Sequence, residues 1–182
     1  MPRLFFALQP PAAAAGEMLE RATPLITQLG SRPVPPGNVH ATLCFIGEVA
    51  NDRVDALRSA AASVRSPPGE IRFDALDAWE KPRILCAIAP QGSREASRLA
   101  DALRDASIAA GFTPDIKDFR PHLTLARKID LVEAKKLSWA RDFSPGFVVR
   151  FERFELMESR RGEHGSIYSV VDSWPLYEAE RH

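Results

Sequence analysis

The feature that most constrains this chain is a four-residue pattern used twice, His40-Ala41-Thr42-Leu43 and His122-Leu123-Thr124-Leu125, 82 positions apart. The 182 residues hold only four histidines and five threonines. On shuffling, two histidines would both have Thr at +2 about once in 200 trials, and requiring Leu at +3 in both makes it about one in 20,000. Chance is a poor account of it. Both copies sit in short apolar runs, 39–46 (VHATLCFI) and 120–126 (RPHLTLA), that read as strands. Side chains alternate along a strand, so His40 and Thr42 share a face, as do His122 and Thr124. Leu43 and Leu125 turn into the layer beneath.

The elements around the two strands come in matching order. Residues 4–8 (LFFAL) read as a buried strand. Residues 13–29 carry apolar residues at helical spacing, with Pro24 expected to bend or divide the helix and Gly30 to stop it. A proline-rich loop (31–37) leads into the first motif strand. A second helix follows, with Asn51 or Asp52 as cap. Then come strands at 70–78 and 83–89, with residues 79–82 making the turn between them. Ser93 starts a third helix that Gly111 closes. After the second motif strand, DLVE at 130–133 has the form of a capping box with Asp130 and Glu133 as reciprocal partners. Strands at 147–158 and 166–172 complete the pattern. Helix–strand–helix–strand–strand thus occurs twice. The expectation is an α+β fold of two pseudo-symmetric lobes, each an antiparallel sheet with helices on its outer face, around a central groove. With no flexible linker between the halves, residues 1–182 read as a single bilobal domain built by internal duplication, each lobe about 80–90 residues long.

Composition narrows the function classes. Lys plus Arg and Asp plus Glu number 24 each, so the net charge is zero, unlike proteins that track long stretches of nucleic acid. A polyanionic ligand must then be small or locally gripped. Local basic spots exist at 117–128 (KDFRPHLTLARK) and at Arg160-Arg161. No apolar run approaches the roughly 18 residues of a membrane span, and proline breaks MPRLFFALQPP too early for a signal peptide. Cys44 and Cys86 lie far apart with no CxxC, and read as small buried hydrophobes in a reduced, cytoplasmic protein. His164 and His182 have no motif around them and read as exposed.

Two imidazoles and two hydroxyls on one groove suit displacement at phosphorus. Neutral imidazole takes a proton from attacking water and imidazolium gives one to the leaving oxygen, both near neutral pH. Thr hydroxyls hydrogen-bond the non-bridging oxygens. No carboxylate or cysteine stands at metal-ligand spacing beside either motif, so no metal or other cofactor is expected. A phosphodiester with favourable intramolecular geometry, such as a cyclic phosphate, is the natural substrate.

On these residues the chain resembles the 2H phosphoesterases, and within them the bacterial RNA 2′,3′-cyclic phosphodiesterases, historically called 2′-5′ RNA ligases. RLFFAL (3–8), RPVPPGNVHATLCFIGEV (32–49), FRPHLTLAR (119–127) and ESRRGEHGSIYSVV (158–171) carry the likeness. The resemblance implies opening of terminal 2′,3′-cyclic phosphates on RNA to 2′-phosphates, with reverse 2′-5′ ligation left open. It implies His40 as proton donor and His122 as proton acceptor, an order that spacing alone leaves reversible. Thr42 and Thr124 would hold the phosphate. Arg127, Arg32 and Tyr168 are further substrate-binding candidates. Arg127 falls on the face opposite His122 in a regular strand, so its use requires a strand end or a bulge. Phe5 and Phe6 read as core. Where relatives often carry an aromatic residue, this chain has Cys86, so a platform for the base is missing or supplied elsewhere.

The expected partners are RNA ends or small cyclic nucleotides, with no membrane and no obligate protein partner, the protein being a monomer. One rival is a phosphodiesterase for small nucleotides such as 2′-5′ oligoadenylate or an ADP-ribose cyclic phosphate. The other is a nucleotide-binding module without turnover, which two intact motifs disfavour.

Overall fold

The structure is a computed structural model that describes residues 1–137, 141–162 and 165–177. His164 and His182 lie outside the described residues. In chain order the elements are β1 (Arg3–Leu8), α1 (Ala12–Gln28), β2 (Ala41–Glu48), α2 (Val54–Ser63), β3 (Gly69–Trp79), β4 (Ile84–Ile88), α3 (Arg94–Ala109), β5 (His122–Arg127), α4 (Leu131–Lys135), β6 (Arg141–Phe151), β7 (Arg153–Gly162) and β8 (Gly165–Pro175). They build two four-stranded antiparallel sheets, ordered β2-β1-β7-β8 and β5-β4-β3-β6. This is the expected α+β class, with each motif strand at the edge of its own sheet. Among the described residues no helix is long and apolar enough to cross a membrane.

The two sheets do not follow the two halves of the sequence. The sheet with β5 uses one continuous stretch, whereas the sheet with β2 joins β1 and β2 to β7 and β8. The single strand expected at 147–158 is therefore two strands in different sheets, parted by a bend at Glu152. The physical reason lies in side-chain parity. Phe147, Val149 and Phe151 are buried at odd positions of β6, and Phe154 and Leu156 at even positions of β7. One straight strand would send one of those sets to solvent.

Helices cross between the sheets. The connection of β1 to β2, α1, lies against β5 and β6, while the connection of β4 to β5, α3, lies against β2. Each buries a stripe at helical spacing, Ala15, Met18, Leu19, Ala22 and Ile26 in α1, and Ala96, Leu99, Ala100 and Leu103 in α3. Helix α1 runs on through Pro24 undivided. Both helices close alike: Gly30 (φ 64°) and Gly111 (φ 81°) take the left-handed conformation, and Ser31 N–H and Phe112 N–H reach back to the carbonyls of Ile26 and Ser107. Ser93 caps α3 as expected, accepting from Ala96 N–H. Two expected caps differ. A short 3₁₀ turn at Asn51–Arg53 precedes α2, which has no side-chain cap. Asp130 accepts from Val132 and Glu133 N–H, but the Glu133 carboxylate pairs with Lys136 at 2.6 Å instead of returning to Asp130, so the box is half made.

One strand face feeds the core and the other the groove. Leu4, Phe6 and Leu8 of β1 enter the main core with Phe73 of β3, Leu85 of β4 and Phe154 of β7. Truncating a buried phenylalanine such as Phe6 to alanine costs about 3–5 kcal/mol. Phe5 and Ala7 point the other way and form a small second cluster with Met157, beside Phe45 and Tyr168.

Both motif strands carry the same irregularity. Thr42 pairs with Ala7 and Cys44 with Phe6, leaving Leu43 as an extra residue; Thr124 pairs with Cys86 and Ala126 with Leu85, leaving Leu125 extra. The repeated leucine is thus a β-bulge in both strands. Two consecutive residues after each Thr face the core, and the fifth residue after each His returns to the groove. Both edges are also covered from the opposite side: Val34 N–H bonds the Leu125 carbonyl, and Asp115 N–H bonds that of Phe45. Covering leaves neither edge free to pair with another chain along that stretch.

Candidate active site

His40 precedes β2 by one residue and His122 opens β5. Each ring nitrogen Nδ1 lies against the backbone carbonyl two residues upstream, Asn38 O at 2.8 Å for His40 and Arg120 O at 2.7 Å for His122. A carbonyl can only accept, so Nδ1 carries the proton and Nε2 is left with its lone pair. One local device therefore fixes both tautomers and leaves both Nε2 atoms with a free lone pair, on rings that line one groove. That groove is lined by His40, Thr42, His122 and Thr124 together, with a volume of about 330 Å³. It is at the small end for ligand pockets, enough for the end of a nucleotide chain.

The bulge at Leu125 settles the position of Arg127. It brings the guanidinium round to the face of His122 and Thr124, where it lines the groove. Arg127 Nη2 donates to Tyr168 Oη at 3.0 Å, so a residue of the opposite sheet holds it. Tyr168 also lies edge-on to His40, 4.7 Å between ring centroids. Arg32 is not brought in: it is exposed and does not line the groove, because Pro33 and Val34 beside it are committed to pairing with β5.

The aromatic surroundings depart partly from expectation. Phe6 is core, packed on Phe154 and Trp174. Phe5 is buried but forms groove wall, 5.0 Å from the His40 ring. Trp79, assigned by sequence to a turn, ends β3 and lies 4.5 Å from the His122 ring. Sequence reasoning missed it. The available signal was its place two residues after Asp77 in an alternating run, and Asp77 Oδ2 accepts from its indole N–H at 2.9 Å. Each imidazole thus has an aromatic wall, and β3, next to the strand of Cys86, contributes an aromatic ring to the groove in Trp79. Cys86 itself is fully buried and faces Thr124, and burial pushes its thiol up to about 12. Cys44 is raised to about 11 by the same cause, so both are inert small hydrophobes.

Burial also governs the imidazoles. His40 falls from the ordinary 6.5 to about 4, through desolvation first, with the Arg127 and His122 charges adding and the Asn38 hydrogen bond opposing. His122 is lowered as well, by desolvation and by Arg127, against the Arg120 hydrogen bond. Without ligand both are neutral at pH 7, in a groove they share with the Arg127 guanidinium and with Thr42 and Thr124. An anion seated there raises both proton affinities and makes one imidazolium available. Among the described residues no group of three or more His, Cys, Asp or Glu is placed to hold a metal ion.

Comparison with known proteins gives concordant results. A family model described as the 2′-5′ RNA ligase superfamily matches residues 10–163. A protein of Escherichia coli strain K12 named RNA 2′,3′-cyclic phosphodiesterase is 31% identical over 177 residues, 96% of each chain. A Thermus thermophilus protein of the same name is 28% identical over 96% of this chain and 90% of its own. The crystal structure of E. coli LigT complexed with 3′-AMP superposes with a TM-score of 0.84 at 26% identity, covering 98% of this chain and all of that one.

Proposed function

The chain belongs to the 2′-5′ RNA ligase superfamily, and from that premise we propose that it is an RNA 2′,3′-cyclic phosphodiesterase acting by two-histidine acid–base catalysis without a metal. The observation that carries this reading is the pair of imidazoles with identically fixed tautomers, each beside its threonine on one groove. Water attacks phosphorus in line with the ribose 3′ oxygen. One Nε2 takes the water proton, the other imidazole protonates the leaving oxygen, and the P–O3′ bond breaks to leave a 2′-phosphate and a free 3′ hydroxyl. Thr42, Thr124 and Arg127 hold the non-bridging oxygens as charge builds on them. Tyr168 positions Arg127.

We keep His122 as base and His40 as acid, the order that the family resemblance implies. Both imidazoles are lowered in the ligand-free molecule, so this order requires the substrate's anion to raise the proton affinity of His40. A substrate with an activated 3′ leaving group separates the roles: it rescues the variant lacking the acid and not the one lacking the base. We read residues 1–182 as one bilobal unit, working as a cytoplasmic monomer on RNA ends. Small nucleotides are the second reading, favoured by the modest volume of the groove.

The test is hydrolysis of a labelled RNA ending in 2′,3′-cyclic phosphate in EDTA. Conversion to the 2′-phosphate by the wild type and not by His40→Ala or His122→Ala is expected. No conversion overturns the activity, and sensitivity to EDTA overturns the metal-free mechanism. Conversion of mononucleotides alone favours the second reading.

A further inference from the structure

An RNA end brings two phosphates to the groove, the cyclic one that reacts and the phosphodiester on the 5′ side of the same ribose. Thr42, Thr124 and Arg127 surround the first. The two motif strands differ in what the bulge turns inward next, five residues after the histidine: Arg127 on β5 and Phe45 on β2. The Arg3 guanidinium lies over the Phe45 ring, its carbon 4.9 Å from the centroid. Arg3 is exposed and lines the same groove. It shares a face of β1 with Phe5, which touches His40, and so stands one step of about 7 Å along the groove wall.

Three observations bear on the part Arg3 plays in the groove. The guanidinium charge that lowers both imidazoles is that of Arg127, and Arg3 contributes to neither. Among the described residues Arg3 forms no ion pair, although Glu48 lies opposite it in register. Its register partner on the other side, Ser159, lines the groove too and offers a hydroxyl beside it. A planar guanidinium flat on an aromatic ring is held in place before any ligand arrives, so little rotamer freedom is lost on binding an anion.

We infer that Arg3 determines specificity by gripping the phosphodiester on the 5′ side of the terminal nucleotide, so that oligonucleotide ends are preferred to mononucleoside cyclic phosphates. The inference rests on the cyclic phosphodiesterase reading above. The same chemistry would serve a free 5′-phosphate on a mononucleotide, and the substrates below distinguish the two.

The experiment compares kcat/KM for three substrates with the wild type, Arg3→Gln and Arg3→Lys. They are a dinucleotide ending in 2′,3′-cyclic phosphate, the same dinucleotide with a neutral methylphosphonate linkage, and a 5′-phosphorylated mononucleoside cyclic phosphate. For the wild type, neutralising the linkage is expected to lower kcat/KM about tenfold, through KM, a comparison that needs no variant to fold. Arg3→Gln should lose about tenfold more on the charged dinucleotide than on the methylphosphonate, with Arg3→Lys in between. Equal losses on all three, or a wild type indifferent to the linkage charge, overturns the role of Arg3 alone. A preference for the 5′-phosphorylated mononucleotide over the dinucleotide overturns the phosphodiester as its ligand. No turnover of any substrate overturns the activity and this inference with it.

Discussion

The His40 side and the His122 side of the groove are built to one plan and differ in what surrounds it. Both hold Nδ1 on a carbonyl two residues back, both place Thr two residues on, and both bulge at the next leucine. They diverge in burial, in aromatic partner and in the residue the bulge delivers. His40 is wedged between Phe5 and Tyr168 and its proton affinity falls to about 4; His122 has Trp79 and is lowered by burial and by the Arg127 charge. The shared parts place two equivalent nitrogens. The differences give the two imidazoles unlike surroundings, one wedged between two aromatic rings and the other against a single indole.

The strongest test of equivalence is removal of each imidazole. His40→Ala and His122→Ala should each lower kcat about 1,000-fold in single-turnover hydrolysis, with KM little changed, and the double variant should lose little more. A tenfold disparity between the two would break the symmetry at the chemical step.

Acid stability sharpens the difference instead. His40 has a folded-state value below its unfolded one, so its neutral form stabilises the fold above pH 6.5, and that contribution is lost as pH falls towards about 4. The loss is about 3 kcal/mol, a little over 100-fold in the folding equilibrium. Urea titrations between pH 7 and 4 should show this slope, and His40→Gln should remove much of it. Inorganic phosphate, by binding the protonated pair, should flatten it.

Arg127→Gln should lower kcat/KM about 100-fold. It should also move the pH–rate profile. The bell for kcat/KM is expected to centre below pH 6.5, because both free imidazoles are depressed, and losing a neighbouring positive charge moves it upward. Titration of the ring carbons by NMR would give both values directly. An unmoved profile would mean that Arg127 acts on substrate without touching the imidazoles.

Smallest is the tie between the two sides. Tyr168→Phe deletes the acceptor for Arg127 and keeps the ring against His40, so kcat/KM should fall about threefold and the His40 proton affinity should stay put. A much larger loss would give the hydroxyl a part in the chemistry.

Much of this site was legible before any coordinates. Spacing alone put His40 with Thr42 and His122 with Thr124 on common faces, and the parity of Arg127 already demanded an irregular strand. What spacing could not say was that the repeated leucine is the irregularity, because an extra residue is defined only against a partner strand. The division of 147–158 was written in the shift of buried residues from odd to even around Glu152, a signal overridden by the length of the apolar run. Arg32 stands outside the groove lining for a different reason: the path of a proline-rich loop is set by the strand it pairs with, not by its own residues. Trp79 was hidden by its nearness to a turn.

Chain order adds a consequence in time. The sheet bearing His122 can close once residues 69–151 exist, since all its strands lie in that stretch. The sheet bearing His40 waits for residues 153–175 to pair back onto β1. Tyr168, which meets His40 and holds Arg127, arrives with that late hairpin. A chain growing on the ribosome therefore carries both histidines well before it carries the strand that completes the groove around them.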